Sequence, residues 1–352
     1  MRVAVLALLL ATGSAAAWAA DPLRIGIASD YFGPYVDLGG PGSALAARMA
    51  VQDFCGTVLG RPIEIVSADT QNKPDVTSTF VRNWFDNEGV EAVADGSASS
   101  VGLAIQTLAE QKHKIYLNSG GFSGAFSGPA CTTSSFQFQP DSRALALAVV
   151  DETVKSGGLF WYFVTANYAF GIALENAAAA VKTSGETVLR SSRVPLGAAD
   201  FSSYLLQAQS SGAQVIALAS AGNDFFNTMK QAKEFGLGSD GKSTISGLRV
   251  FISDVEALGL EAAQRLRFGD AAYRNEDDGT RAWSRHFMEQ HGGKPPTTVH
   301  AMTYSAVTGY LKAGQAADTA DRPTARPSPS SCASASSMTC SCTELPSRKT
   351  AV

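Results

Sequence analysis

The chain has 352 residues, of which 45% are hydrophobic and 17% charged, with a net charge of −4. That length suits roughly two domains of ~100–200 residues each, and the ordinary globular mix argues against wholesale disorder. The acidic balance lacks the basic surface a nucleic-acid binder needs. Four His and five Cys, with no cluster at metal-ligand spacing, argue against a zinc or iron–sulfur enzyme.

Residues 1–19 read as an export signal. Arg2 supplies the positive start, Val3 to Ala11 the short apolar run, and Ala17-Trp18-Ala19 the small-x-small cleavage pattern. No Cys follows the cut, so nothing suggests a lipid anchor. No later run of ~18 apolar residues suggests a membrane-spanning helix. The mature chain is expected in the periplasm, not inserted in the membrane. There it works without cytosolic ATP or nicotinamide, and no cofactor is expected.

Leu23 to Ala28 is a β-rich run ending in turn residues. Tyr31 to Gly42 is a Gly- and Pro-rich loop, and Ser43 can cap the next helix. Pro62 to Val66 alternates as a strand. Asp75 to Asn87 reads as a helix, with Val76, Phe80 and Trp84 four apart. Val90 to Val93 and Ile115 to Leu117 are strands, and Ser97 to Ser100 opens a helix between them. Alternating β and α imply a parallel sheet with helices on both faces.

The pattern then restarts. Phe160 to Val164, Glu186 to Leu189, Val215 to Leu218 and Val250 to Ile252 read as strands. Gly171 to Thr183, Phe201 to Ser210 and Asp224 to Phe235 read as helices. Arg281 to His291 and Met302 to Gln315 are two last helices, most economically returned to the first unit. The fold class expected is α/β, with two doubly wound parallel-sheet domains of similar layout. Ligands in such sheets bind outside the carboxyl ends of the strands. Those ends are rich in Ser, Gly, Asn and aromatic residues, which suits a small neutral or zwitterionic molecule.

The order of Ile25-Gly-Ile, Gly33-Pro34-Tyr35, Lys73-Pro74, Gly96-Ser-Ala-Ser-Ser100, Asn118-Ser-Gly-Gly-Phe122 and Tyr168-Ala-Phe-Gly171 resembles a type I periplasmic binding protein. Asp69, Asp200-Phe-Ser202 and the run Met229 to Leu237 add to the likeness. Within that fold the chain is similar to the leucine/isoleucine/valine-binding family of ABC-transporter substrate-binding proteins. The resemblance covers residues 22–315. It implies two doubly wound parallel-sheet lobes joined by a hinge, lobe 1 over 22–138 and 272–316 and lobe 2 over 139–271. It also implies a monomer that closes over a small ligand (an amino acid, an amide or an aromatic carboxylate) and docks on an ABC permease.

By the same resemblance Ser99 and Ser100, with backbone groups near Gly121, Phe122 and Ser123, bind the ligand carboxylate. Asp254, or Glu256 beside it, matches the acid that meets a ligand ammonium. Phe170 stands where the family has a tyrosine, so a hydroxyl contact is absent or comes from Tyr168. Tyr35 and Phe122 line an apolar pocket, and Phe122 and Phe170 suit an aromatic ring. The same segments also have plainer readings: helix caps for the serines and Asp254, and core for Phe170. A ligand-sensing module and an exported hydrolase are the rival functions.

Gly236 to Ser243 matches the P-loop pattern letter for letter, but a helix is expected before it and a strand after it, the reverse of a real P-loop. No Gly-x-Ser-x-Gly elbow occurs. Trp84, Trp161 and Trp283 are expected in the core, and His113, His286, His291 and His300 at the solvent. Cys55 and Cys131 either pair or stay as two buried thiols. From Ala317 the composition turns to Pro, Ser, Thr, Ala and Cys, with Cys332, Cys340 and Cys342 crowded together. Residues 317–352 are read as a low-complexity tail or as the product of a frameshift. With permissible codons, a one-base slip across Ser331 to Ser341 reads Met-Arg-Glu-Arg-Leu-Val-Asp-Asp-Val-Phe, an amphipathic helix end and a strand.

Overall fold

The structure is a computed structural model that describes residues 20–180, 187–239, 241–263, 266, 268–272 and 274–321. The export signal over 1–19 lies outside the described residues. So does the altered tail beyond 321.

The first lobe holds β1 (Leu23–Ser29), β2 (Thr57–Val58), β3 (Arg61–Asp69), β4 (Val90–Asp95), β5 (Ile115–Asn118) and β6 (Ser135–Gln137). They form one sheet in the order β2-β3-β1-β4-β5-β6. All neighbours are parallel except the short β2–β3 pair. Helices α1 (Gly40–Asp53), α2 (Pro74–Asp86) and α3 (Ser99–Lys112) cross between the strands. β1 is central and covered on both faces, which is why its side chains form a nearly unbroken apolar run rather than an alternation.

Gly26 shows how tightly the layers meet. It pairs with Val66 and Val93 on its two sides. A Cβ there would lie 2.5 and 2.7 Å from the Trp84 ring of α2, and Trp84 is itself buried. Neither the central strand nor the ring can retreat freely in a close-packed interior. Gly26→Ala is expected to cost about 1–3 kcal/mol of stability by overpacking, read as a lower midpoint in chemical denaturation. An unchanged midpoint would contradict this packing.

The second lobe holds α4 (Ser142–Lys155), β7 (Phe160–Ala166), α5 (Ala169–Ala180), β8 (Thr187–Val194), α6 (Ser202–Ser210), β9 (Val215–Ala219), α7 (Gly222–Glu234) and β10 (Thr244–Gly247). Its sheet is parallel, in the order β10-β9-β7-β8. Helices α8 (Ile252–Leu258) and α9 (Leu260–Ala263) pack against α7. After them come α10 (Asp278–Gln290) and α11 (Thr298–Asp321). α11 lies along α1 and over β4 and β5. Its Ala306, Val307 and Leu311 share a core with Leu23, Ile25 and Ala47. The chain therefore folds as two α/β lobes with parallel sheets, and its last helices rejoin the first lobe. α11 continues to Asp321, past the point where the composition changes.

Several elements differ from the sequence reading. Val250 to Ile252 is not a strand. The strand is Thr244–Gly247, paired with β9, and Ile252 already opens α8. Val250 is buried in the core of the second lobe and Phe251 in the cluster that crosses the lobe boundary, so their apolar run comes from burial without a ladder. Ser135–Gln137 is a sixth strand on β5, hidden in sequence by its shortness. α4 was not legible, although Asp141 caps it by accepting from the Ala144 N–H at 2.8 Å. Cys131 is free and exposed, so it neither pairs with Cys55 nor stays a buried thiol. His300 is not at the solvent: it is fully buried. Trp84 and Trp161 are buried, while Trp283 is half-buried beside Phe287 and Tyr304. The P-loop look-alike follows α7 and precedes β10, the opposite of a phosphate-cradling order.

Candidate functional site

The carboxyl ends of both sheets face one another. Tyr35 follows β1, Ser97 and Ser99 follow β4, and Phe122 follows β5. From the other lobe, Tyr168 and Phe170 follow β7 and Arg249 follows β10. These seven residues line one small pocket. It sits where parallel sheets place ligands, outside the strand ends. The N-termini of α3 and α5 open at the same place, and their N–H groups favour negative charge.

The lobes are closed on each other. The Tyr35 and Tyr168 hydroxyls, from opposite lobes, share a hydrogen bond of 2.5 Å. The Asn223 N–H donates to the Pro34 carbonyl at 3.0 Å. Gly222, with φ of +59°, lies against Pro34, Tyr35 and Leu38, and a Cβ there would overlap the Pro34 oxygen. One buried apolar cluster runs across the boundary, joining Tyr35, Leu38 and Phe122 to Phe170, Ala221 and Phe251.

Among the described residues that line the cavity, Arg249 is the charged one. It is 3% exposed. Its guanidinium lies 4.1 Å from the centroids of both Phe122 and Phe251. Phe170 stands 5.7 Å away. The two rings hold the planar cation and attract it through their π faces. Nε has no hydrogen-bond partner among the described residues. Burial lowers its pKa, partly offset by Tyr168 and Asp254, yet an arginine keeps its charge in proteins. A buried donor of a cation left without a partner is costly, so an anion reaching Nε recovers part of that cost.

The hydroxyls complete the wall. Ser99 Oγ accepts from the N–H groups of Phe122 (3.2 Å) and Ser123 (3.3 Å). Its acceptor capacity is filled, which leaves its own O–H to donate. Ser97 Oγ donates to Asp95 Oδ1 at 3.0 Å and meets Ser29 Oγ at 2.9 Å. Burial raises Asp95 to about 6. The phenols of Tyr35 and Tyr168 are held far above their ordinary values by burial, so both enter as neutral O–H groups.

Of the residues expected from the sequence, Tyr35, Ser99, Phe122, Tyr168 and Phe170 come together on this cavity. Ser100 follows Ser99 in α3, half-buried and outside the lining. Gly121 and Ser123 sit behind it. The Gly121 N–H donates to Asn118 Oδ1 at 2.7 Å, and the Ser123 N–H is taken by Ser99. Asp254 does not line the cavity: its Oδ2 accepts from the Phe251 N–H at 2.7 Å and caps α8. Glu256 pairs with Arg274 at 2.9 Å. Arg249 was missed because Leu248-Arg-Val-Phe-Ile252 looks like an interrupted strand. The lone cation inside an apolar run was the available signal.

A family model described as periplasmic binding protein matches residues 22–338. A Leu/Ile/Val-binding protein homolog of Brucella abortus (strain 2308) is 27% identical over 273 residues, which are 74% of this chain and 67% of that one. A periplasmic binding protein from Burkholderia mallei is similar at 43% identity with a TM-score of 0.82, covering 85% of this chain and 79% of the other. A branched-chain amino acid ABC transporter periplasmic ligand-binding protein from Burkholderia xenovorans LB400 has 35% identity and a TM-score of 0.72, covering 84% and 79%. A solute-binding protein from Rhodopseudomonas palustris BisB5, in complex with 3,4-dihydroxybenzoic acid, shares the fold at 17% identity and a TM-score of 0.72, covering 84% and 81%.

Proposed function

The chain belongs to the periplasmic binding protein family, among solute-binding proteins of ABC transporters, and on that premise we propose that it captures a small carboxylate-bearing ligand by closing its lobes. Branched-chain or other amino acids and aromatic acids are the candidate solutes, since similar proteins are described with each. The single observation that carries the reading is the cavity between the strand ends, where Arg249 is buried without a partner at Nε. The closed chain delivers the ligand to an ABC permease from the periplasm. No catalysis is part of this reading.

Ligand contacts from both lobes favour the closed form, and that difference in affinity drives closure. Ser99 and Arg249 hold the carboxylate, and the phenols of Tyr35 and Tyr168 close over it. Lobe 1 comprises 22–138 and 272–316, and lobe 2 comprises 139–271. Small-angle scattering tests the motion. The radius of gyration of ligand-stripped protein is expected to fall on adding ligand, and a constant radius with proven binding would contradict closure. Turnover of the bound solute would instead favour an exported hydrolase.

The tyrosine pair gives a smaller effect. Tyr35→Phe removes one neutral hydrogen bond across the lobes, worth about 0.5–1.5 kcal/mol. The expected result is an affinity about 2- to 10-fold weaker with an unchanged melting temperature, read by calorimetry. A larger drop in melting temperature than in affinity would place Tyr35 in the fold rather than the latch.

A further inference from the structure

Resting on the carboxylate reading above, we propose that the site selects small monocarboxylates that carry no ammonium group, and so rejects α-amino acids. Arg249 supplies a fixed cation, Ser99 one O–H and the Tyr35–Tyr168 pair another, while the Ser97 O–H is taken by Asp95. Among the described residues no carboxylate lines the pocket.

The acids that surround the cleft are engaged elsewhere, save that Asp95 keeps its Oδ2 without a partner among the described residues. Asp254 caps α8 through the Phe251 N–H. Asp30 accepts from the Gly33 and Tyr35 N–H groups at 2.7 and 2.8 Å. Asp224 accepts from the Gly197 N–H at 3.1 Å. Asp95 takes the Ser97 hydroxyl, and Asp270 takes the Thr298 hydroxyl and the Ala271 N–H. An α-ammonium held beside its carboxylate would lie near the Arg249 cation with no acid facing it. A buried charge without a partner is expensive, and like charges at close range add to that cost.

The apolar side of the pocket sharpens the class. Phe122 and Phe170 meet edge to face across it, with ring centroids 6.1 Å apart, and present an apolar wall to the rest of the ligand. Of the two tyrosine hydroxyls, one donates to the other, which leaves one phenolic O–H for a carbonyl or hydroxyl oxygen of the ligand. A short 2-oxo acid or a small aromatic acid meets each of these groups.

Calorimetric titration of ligand-stripped protein with matched probes tests this. The probes are leucine, 4-methyl-2-oxopentanoate, phenylalanine, phenylpyruvate and benzoate. At least one ammonium-free acid is expected to bind, and each oxo acid that binds does so a hundredfold or more tighter than its amino acid. An amino acid binding as tightly as its oxo acid would overturn the selectivity while leaving the carboxylate reading intact. No binding by any carboxylate, in protein that melts cooperatively, would overturn both. Arg249→Gln is expected to weaken the acid about 10- to 100-fold. Asp254→Asn is expected to leave the ratio of oxo-acid to amino-acid affinity unchanged, and a selective loss of amino-acid binding would restore Asp254 as an ammonium partner. If Arg249→Gln does not fold, the matched probes on the unaltered chain still decide.

Discussion

Replacing Gly222 with valine is expected to weaken ligand binding about 5- to 150-fold while both lobes stay folded. Gly222 is the first residue of α7 and sits at a φ of +59°. In the closed form a Cβ there would overlap the Pro34 carbonyl oxygen, lie 2.9 Å from the Tyr35 ring and 3.3 Å from Leu38. The first obstacle is backbone, which cannot rotate away. Overpacking against such a wall costs about 1–3 kcal/mol or more, and every 1.4 kcal/mol is tenfold in affinity. The neighbouring Asn223 N–H bond to the Pro34 oxygen would stretch as well. In an open form the two lobes part and the clash vanishes, so it falls on binding. The left-handed backbone strain is present in both forms and lowers stability instead. Calorimetry and thermal melts on the same sample separate the two effects. An affinity within threefold of the unaltered chain would show that closure does not bring Gly222 onto Pro34.

The second large effect concerns acid. His300 is buried beneath α1. Its Nδ1 accepts the Thr297 N–H at 3.0 Å, so Nε2 carries the proton and donates to the Gly39 carbonyl at 2.8 Å. Phe287 stacks on it at 4.9 Å, and the His291 ring meets it at 5.5 Å. Burial pushes its pKa from 6.5 down to about 3. Between those values the unfolded chain binds a proton that the folded chain refuses. Stability from this group is therefore complete above pH 6.5 and is lost as pH falls toward 3. At 1.36 kcal/mol per unit the full loss is on the order of 5 kcal/mol.

Other groups set the background to that slope. Asp37, paired with Lys294 at 2.9 Å, faces the same corner. Burial raises Asp95, Asp224 and Asp254 to about 6. Those acids act in the opposite sense, favouring the fold below about pH 4 and losing that advantage as pH rises through 6. The informative quantity is thus the difference from His300→Gln, whose amide can replace both hydrogen bonds without titrating. Between pH 7.5 and 4.5 the unaltered chain is expected to lose about 2–3 kcal/mol more than the variant, by denaturant unfolding. Equal losses would mean that His300 is already charged in the fold.

The site was legible where strand ends carry turn chemistry. Tyr35, Ser99, Phe122, Tyr168 and Phe170 stand in short polar loops after apolar runs, and such loops at sheet ends point to one place. Arg249 was hidden because its neighbours are apolar without forming a ladder: Leu248 and Phe251 join the cluster that crosses the lobes, and Val250 joins the second lobe's core. Asp254 looked like an ammonium partner because an acid at a strand end and an acid at a helix start look alike in sequence. Only the Phe251 N–H, 2.7 Å from its oxygen, separates the two. His300 could not be placed from its surroundings in the chain, since the group that buries it, Gly39, lies 261 residues away. β6 and α4 were lost to shortness and to weak apolar contrast.

The central claim is that a small carboxylate binds the folded chain between its lobes. A thermal-shift titration of the mature, ligand-stripped protein against small carboxylates, amides and sugars tests it most directly. A ligand that binds only the folded form stabilises it by about 2.7 kcal/mol at a hundred times its dissociation constant. The expected result is a melting temperature that climbs with the concentration of one carboxylate class and stays fixed for amides and sugars. A cooperative melt that no carboxylate shifts, or that a sugar or amide shifts instead, would contradict the claim.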